Sequence, residues 1–173
     1  MRDNKWIYET NKNNSVRYVL GTKGKKTLLC FGINPSTASP EKLDNTLKSV
    51  ERLAINNGFD SWIMMNIYPQ RATNPDDIHK KIDQEITANN LLHISKIINS
   101  QNTVLWAAWG TLIDKRPFLH DCLKDIVLLT KKLDTKWICI GPISKKGHPH
   151  HPLYLKSTEA TQGFNMETYI NNL

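Results

Sequence analysis

Residues 28–37, with the sequence LLCFGINPST, constrain the fold more than any other part of this chain. The apolar run is typical of a buried strand, and it stops abruptly at Gly32 and Pro35. Pro35 donates no backbone hydrogen bond and holds Asn34 in an extended conformation, so the strand cannot continue past it. Asn34 is therefore predicted at the carboxyl end of a central strand, where open α/β sheets bind their ligands.

The chain has 173 residues, which predicts a single domain over residues 1–173 with its own core. No apolar run approaches the roughly 20 residues of a bilayer-spanning helix, and the polar first ten residues are unlike a secretory signal. We therefore expect a cytoplasmic protein with no membrane partner. The three cysteines, Cys30, Cys122 and Cys139, lie far apart in apolar runs, which predicts buried free thiols.

Positive charge is in excess, with 23 Lys and Arg against 16 Asp and Glu and a formal net charge of +7. This balance suits a polyanionic partner, so DNA or a nucleotide is the expected ligand. No long basic block occurs, and a binding surface would have to be assembled by folding. Lys145 and Lys146 are candidate phosphate contacts. The oligomeric state is left open, with a monomer favoured.

Apolar runs alternate with helical patterns along the chain. Buried strands are predicted at 27–33, 62–67, 103–109 and 137–140, and helices near 43–58, 83–99, 118–132 and 166–171. The Gly-rich turn at 21–24 predicts that residues 16–20 pair with the strand at 27–33, giving a hairpin over about 16–33. The alternation predicts a three-layer α/β/α fold with a core over about 27–157, in which about four mainly parallel strands follow this N-terminal hairpin.

Parallel strands bring the loops at 32–40, 66–77 and 141–157 to one edge of the sheet. Asn66 ends its strand much as Asn34 does, and its amide offers a donor and an acceptor to the edge of a base, although a turn-forming role is equally open. Arg71 is either a fork-shaped donor to phosphate or carboxylate, or a surface charge. Trp109, at the end of the third strand, serves either core packing or a ligand wall.

The segment 147–154, GHPHHPLY, holds His148, His150 and His151. Imidazole suits several metals, but no nearby carboxylate or cysteine completes a ligand set, so no metal site is predicted. A histidine that donates to a developing anion or shuttles a proton, and a plain surface loop, are the open alternatives. The chain has no P-loop, GxGxxG, GxSxG or HExxH motif, and no cofactor is predicted.

Together these loops resemble the uracil-DNA glycosylase superfamily. Gly32-Ile33-Asn34-Pro35 is similar to the first motif of that superfamily, and His148-Pro149 with Leu153 to its last motif. Asn66 and the Arg71 loop resemble the strand-end Asn and the Arg/Pro-rich loop of several branches. The resemblance implies a glycosylase-like fold and a pocket that takes a modified or damaged base flipped out of DNA and hydrolyses its N-glycosidic bond.

The whole chain is even more similar to domain-of-unknown-function family 1643, over about residues 17–155. The shared pattern comprises RY at 17–18, NPSTA at 34–38, D-x-T at 44–46, Asn66 with YxxRAT at 68–73, AWG at 108–110 and GHPxHPLY at 147–154. No activity of that family can be carried over to this chain.

The glycosylase resemblance implies a role for each matched residue. His148 would donate to the carbonyl oxygen of the departing base, Asn34 would orient water, and Asp44 would be the base or a helix cap. Substrate contacts would come from Gly32, Ile33, Pro35, Ser36, Asn66, Arg71, Thr73, Trp109, His151 and Leu153, with Leu153 filling the gap left by a flipped nucleotide and Arg71, Lys145 and Lys146 holding phosphates.

Two other functions remain open at this level. One is a module that binds a nucleotide or nucleic acid without cleaving it. The other is a hydrolase or transferase that acts on a free nucleoside derivative.

Overall fold

The computed structural model describes residues 6–100, with only the backbone at 99–100, and residues 104–173. The strands in this part of the chain are β1 (Trp6–Thr10), β2 (Arg17–Thr22), β3 (Thr27–Gly32), β4 (Ser61–Asn66), β5 (Val104–Ala107), β6 (Lys136–Ile140) and β7 (Thr161–Gly163). The α-helices are α1 (Asn45–Asn56), α2 (Gln84–Ser100), α3 (Pro117–Lys131) and α4 (Met166–Asn171). Short 3₁₀ helices cover Pro75–Asp77, Gly110–Lys115 and Pro152–Tyr154.

The described strands form one seven-stranded mixed sheet in the order β1-β2-β4-β3-β5-β6-β7. At its centre β4, β3, β5 and β6 run parallel to one another. The outer strands β1, β2 and β7 are antiparallel to their neighbours. The mixed α/β class and the parallel centre are thus as predicted, whereas the sheet is larger than the predicted four strands and hairpin.

The N-terminal hairpin is not the predicted one. β2 pairs with β1, where Trp6 lies opposite Thr22, and on its other side with β4, where Leu20 lies opposite Met64. β3 lies beyond β4 and does not pair with β2. The turn between β2 and β3 is held by Asp60, whose carboxylate accepts hydrogen bonds of 2.9 Å from the backbone N–H groups of residues 25 and 26. Because Asp60 directly precedes β4, the chain crosses the start of β4 instead of folding back on itself.

The helices lie within a few residues of their predicted bounds. α1 begins after Asp44, whose carboxylate accepts a hydrogen bond of 2.9 Å from the backbone N–H of Leu47. Such a cap satisfies one of the donors that the first turn of a helix leaves unpaired. α3 begins at Pro117, a residue suited to the first helical position because its missing N–H would have no partner there.

Both faces of the central strands are buried, which explains their continuous apolar sequences. Leu29 and Phe31 of β3 pack with side chains of α2 and α3, and their neighbours Leu28 and Cys30 pack with side chains of α1. Alternate residues of a strand point to opposite faces of a sheet, so α1 packs on one face and α2 and α3 on the other.

The three cysteines are free and buried, as predicted. Burial raises the pKa of the Cys30 thiol well above its ordinary value and that of Cys122 to about 12. Thiolates are therefore scarce at neutral pH, and these cysteines are unsuited to nucleophilic chemistry. Within the described ranges, no helix is both long and apolar enough to cross a membrane.

Candidate functional site

The carboxyl ends of β3, β4 and β5 are joined by backbone hydrogen bonds. Ile67 N donates to Gly32 O over 2.8 Å, and Ala108 N donates to Phe31 O over 3.0 Å. Beyond the strands, Ala72 N donates to the carbonyl of residue 35 over 2.9 Å. The loops that carry Asn34 and Asn66 therefore start at the same edge of the sheet, as the parallel topology predicts.

Asn34 joins the loop after β3 to the loop after β4. Its side-chain Nδ2 donates to Ala72 O over 2.9 Å and lies 3.4 Å from Gln70 O, with a third contact of 3.0 Å to the carbonyl of residue 35. Three surrounding carbonyl oxygens require the nitrogen of the amide on this side. Oδ1 is consequently the atom that Asn34 can offer to water or to a ligand.

A cavity of about 70 Å³ lies beside Asn34. We call it the Arg17 cavity. Its wall includes Gly32 and the polar residues Arg17, Asn34, Ser36, Asp44 and His151. Of the three loops predicted at this edge, the loops at 32–40 and 141–157 line the cavity, through residues that include Asn34 and His151. The loop at 66–77 contributes no residue to its wall.

Arg17 is buried to an unusual degree for an arginine, with 2% of its surface exposed. Its Nη1 donates one hydrogen bond of 3.3 Å to Ala38 O, and its buried Nε has no partner in the described structure. Burial, the largest cause, and the charge of Arg71 lower the pKa of this guanidinium, Asp44 and Tyr8 oppose them, and the net result is a pKa of about 10. From the sequence, Arg17 receives no role in the site, although an arginine inside the apolar strand predicted at 16–20 and in the RY pattern at 17–18 was the available signal.

Asn66 is completely buried, and neither its Nδ2 nor its Oδ1 has a hydrogen-bond partner in the described structure. It lies opposite Gly32 in the parallel pair of β3 and β4, so it lies behind Gly32 of the cavity wall and does not itself line the Arg17 cavity. Its backbone carbonyl accepts a hydrogen bond of 2.9 Å from Asn90 Nδ2, so the side chain alone is unsatisfied. A buried polar group without a partner costs about 1–3 kcal/mol, and a polar ligand would remove that cost.

Asp44 and His151 face the same cavity. Asp44 uses Oδ1 to cap α1, so the structural role considered for it is present in the fold. His151 Nδ1 accepts a hydrogen bond of 3.2 Å from the backbone N–H of Leu153, which places the proton of the neutral ring on Nε2. Burial lowers the pKa of His151 and Asp44 opposes this change, with a net decrease below 6.5. His151 is therefore a neutral N–H donor at pH 7.

A larger cavity of about 340 Å³ adjoins the Arg17 cavity, and Leu112 and His151 line both. Its wall also includes Trp109, His150 and the largely exposed Tyr154. Trp109 is itself fully buried and donates from Nε1 to the Tyr169 hydroxyl over 2.9 Å. The volume is at the lower end of small-molecule sites, about 300–1,000 Å³.

His148 lines neither of these two cavities. It is 6% exposed, and both ring nitrogens are engaged: Nδ1 with the Tyr169 hydroxyl at 2.8 Å and Nε2 with Asp114 Oδ2 at 3.1 Å. Since Trp109 donates to that hydroxyl, the Tyr169 hydrogen is available to Nδ1, and His148 Nε2–H then donates to Asp114. The other carboxylate oxygen of Asp114 lies 3.1 Å from His120 Nε2.

Arg71 braces the loops around the Arg17 cavity. Its guanidinium donates to Ser36 O, to Ala38 O at 3.3 Å and to the Tyr8 hydroxyl at 2.7 Å. Its Nε is buried without a partner in the described chain. Ser36 Oγ and Thr73 Oγ1 are hydrogen-bonded at 2.9 Å, and both line an open depression beside Arg71.

The remaining predicted residues are divided between the interior and the surface. Ile33 and Pro35 are buried, and Leu153 is 45% exposed. Lys145 and Lys146 are exposed on the loop after β6. His150 bonds through Nδ1 to the carbonyl of Pro142. Over the described ranges, no group of three or more His, Cys, Asp or Glu side chains is arranged to hold a metal ion.

Comparison with known proteins gives a family but no activity. Residues 17–153 match the model of a family described as a protein of unknown function, DUF1643. No curated protein and no solved structure matches the chain.

Proposed function

The chain belongs to the DUF1643 family, and we propose that it binds a nucleobase across the Arg17 cavity and the adjoining cavity of about 340 Å³ and hydrolyses the N-glycosidic bond between that base and its sugar. The observation that supports this proposal is the buried, unpartnered amide of Asn66 beside the cavity wall. An amide presents a donor and an acceptor side by side, and the edges of nucleobases present the same two functions. Asn66 lies behind Gly32 of the cavity wall, and in this proposal the base reaches past the side-chain-free Gly32 to pair with its amide.

The other polar residues of the cavity match the requirements of glycosidic hydrolysis. In this proposal Asn34 Oδ1 holds a water molecule, and the carboxylate of Asp44 accepts its proton as the water oxygen bonds to the anomeric carbon. The bond between carbon and base nitrogen breaks, and its electron pair leaves with the base. His151 Nε2–H donates to a carbonyl oxygen of the departing base and stabilises its negative charge.

The histidine in this mechanism differs from the one that the sequence motif favoured. Both nitrogens of His148 are bonded to Tyr169 and Asp114, whereas His151 lines the cavity and keeps Nε2–H. We therefore propose that His151 donates to the substrate and that His148 fixes the loop that carries it. The proposed arrangement resembles that of glycosylases because residues after different strands, Asn34 after β3 and His151 after β6, act on one base.

Base release is the direct test. The purified protein is incubated with duplex and single-stranded DNA that carries deaminated, alkylated or oxidised bases, and with deoxynucleosides and deoxynucleotides; released bases are identified by chromatography and mass spectrometry. We expect release by the wild type and a decrease of about 10²–10³ in Asn34→Ala and His151→Ala. Asn45→Ala, an exposed position at the start of α1, is the matched control. The absence of release from every substrate would exclude hydrolysis.

Binding without cleavage is the second candidate, and a specific observation favours it. Asn34 is a poor base, and Asp44 already uses one carboxylate oxygen to cap α1. A module of this kind would bind a base or nucleotide saturably without turnover and would tolerate Asn34→Asp. Affinity that falls steeply with salt would indicate DNA held by Arg71, Lys145 and Lys146, because phosphate contacts release counterions.

A further inference from the structure

We propose that Arg17 is the charged donor of the site: it binds a carbonyl oxygen of the base and stabilises the negative charge that the base carries as it leaves. The inference rests on the proposed function, since it concerns the same base and the same cavity. It gives Arg17 a catalytic role and restricts the substrates to uncharged bases that carry a carbonyl group.

The guanidinium of Arg17 keeps a donor that the fold does not use. Its Nη1 donates to Ala38 O over 3.3 Å, and its Nε is sealed in the interior without a partner. Nη2 also has no partner among the described residues but, unlike Nε, it is not cut off from solvent. Arg17 is 2% exposed and lines the Arg17 cavity, so a group in that cavity is the one that Nη2 can reach.

The positive charge of Arg17 is not neutralised directly. Arg17 forms no ion pair with an Asp or Glu side chain in the described parts of the chain. Asp44 lines the same cavity and acts on Arg17 electrostatically, but one of its oxygens is engaged at the start of α1. A buried charge without a direct partner is unfavourable, and a ligand oxygen with negative charge would form a strong hydrogen bond with it.

The size of the Arg17 cavity limits which part of a base can enter it. A cavity of about 150 Å³ holds one benzene ring, and the Arg17 cavity has about half that volume, about 70 Å³. It has room for a carbonyl group with the adjacent edge of the base, while the rest of the ring occupies the adjoining cavity of about 340 Å³. Leu112 and His151 line both cavities, so a ligand that spans the two passes between them.

Negative charge moves within the site as the proposed reaction proceeds. The water oxygen bonds to the anomeric carbon, one water proton passes to Asp44, and the bond to the base breaks with its electron pair on the base. Asp44 becomes neutral while the base becomes an anion. Arg17 favours this transfer because it donates directly to the base, whereas it forms no ion pair with Asp44.

The role of Arg17 selects substrates by oxygen and by charge. A base with a carbonyl group spreads the charge of the departing anion onto an oxygen that Nη2 can bind, and adenine has no such oxygen. A cationic alkylated base leaves as a neutral molecule and is repelled by the buried guanidinium. The substrates expected are therefore uncharged bases with a carbonyl group next to a ring nitrogen.

Free bases test this role without any catalysis. Calorimetric titration at mildly alkaline pH compares xanthine, which is then largely an anion, with hypoxanthine, which is largely neutral, and with adenine, which lacks a carbonyl group. The parent protein is Asp44→Asn, because its uncharged amide reproduces the carboxyl group after proton transfer and asparagine also caps helices. We expect this parent to bind xanthine about tenfold or more tightly than hypoxanthine, as a hydrogen bond to a charged group implies, and adenine most weakly.

Substitutions in the Asp44→Asn parent assign the preference to Arg17. Arg17→Met should abolish the preference for xanthine over hypoxanthine, and Arg52→Met, an exposed arginine on α1, should keep it. Thermal melting shows whether Arg17→Met is folded. If it is not, Arg17→Lys decides the matter: lysine keeps the charge but loses the paired donors, so the preference should decrease without vanishing.

The outcomes for Arg17 and for the proposed function are distinct. Equal affinity for xanthine and hypoxanthine, or a preference that the Arg17 substitutions leave unchanged, would exclude the role of Arg17 while leaving base binding intact. Failure of all three bases to bind both the wild type and Asp44→Asn would contradict the base pocket itself. In the base-release experiment, release of cationic alkylated bases in preference to uncharged carbonyl bases would overturn the substrate class.

Discussion

The amide of Asn66 lies against the place that a side chain at residue 32 would occupy, across the parallel pair of β3 and β4. A Cβ built on Gly32 would lie 3.2 Å from Asn66 Oδ1 and 2.6 Å from the terminal methyl of Met64. A side chain at this position would have to displace the end of Met64 and press on the Asn66 amide. The glycine of the GINP segment therefore makes space for the strand-end asparagine of the neighbouring strand.

Asn66→Leu should stabilise the ligand-free protein and abolish ligand binding. The substitution removes two unsatisfied polar atoms from the interior, so we expect the free energy of unfolding to rise by about 1 kcal/mol. Urea denaturation measures the change, and titration with nucleosides and nucleotides measures the loss of binding. Asn90→Leu is the matched control: Asn90 is equally buried but donates to Asn66 O, and its loss should destabilise the fold. A destabilised Asn66→Leu would contradict the view that its amide has no partner.

Gly32→Ala should preserve the fold and weaken binding. The added methyl group overlaps the end of the flexible Met64 side chain, which can move, and presses on the Asn66 amide. We expect a change in stability within about 1–2 kcal/mol and a larger relative loss of base binding. Gly32→Ala with Met64→Ala removes the Met64 overlap and isolates the contact with Asn66. Wild-type affinity in the double variant would show that the position of Asn66 is irrelevant to the ligand.

His151 should make the stability of the protein depend on pH. Burial lowers its pKa in the folded state below the unfolded value of about 6.5, with Asp44 opposing. The unfolded chain therefore binds more protons than the folded chain at acidic pH. The contribution of His151 to the stability of the fold is complete above about pH 6.5 and is lost as the pH falls through the folded pKa. Denaturation at about pH 7.5 and about pH 5.5 should show that the free energy of unfolding decreases less between these pH values in His151→Gln than in the wild type. Equal losses in the two proteins would place the titrating histidine elsewhere.

Asp114 should make the stability of the protein depend on pH in a lower range than His151 does. Burial raises its pKa, but the hydrogen bonds with His120 and His148 outweigh that effect and leave the pKa below 3.8. Its stabilisation is thus present above the unfolded pKa of about 3.9 and is lost as the pH falls further. Asp114→Asn should unfold more readily than the wild type at about pH 7 and show a smaller difference at about pH 3, measured by thermal melting. A constant difference over this range would mean that the carboxylate charge is not involved.

The local elements of this fold are visible in its sequence. The helical spacing of Leu47, Val50 and Leu53 predicts α1, and these side chains are buried on it. Continuous apolar runs predict β3 and β4, because both of their faces are covered. The position of Asn34 at a strand end follows from Gly32 and Pro35, whose backbone constraints are local.

The strand that β2 pairs with could not be predicted from the local sequence. Residues 16–20 and 27–33 are close in sequence and separated by a glycine-rich turn, which favours a hairpin. The turn is instead held by Asp60, a residue more than thirty positions further along the chain from Lys25 and Lys26. Partners that lie far apart in sequence leave no local pattern, so β2 was placed beside the wrong strand.

The sequence alone thus determined the alternation of strands and helices, the strand end at Asn34 and the membership of residues 17–153 in one family. Only the tertiary structure decided which side chains share a cavity. His148 and His151 are three positions apart, yet His148 is bound by Tyr169 of α4 and by Asp114, while His151 faces Asp44. Arg17 became a candidate site residue only through its burial beside Asn34. Burial and hydrogen-bond partners depend on distant segments, and these decide whether a polar side chain is held in the fold or left available to a ligand.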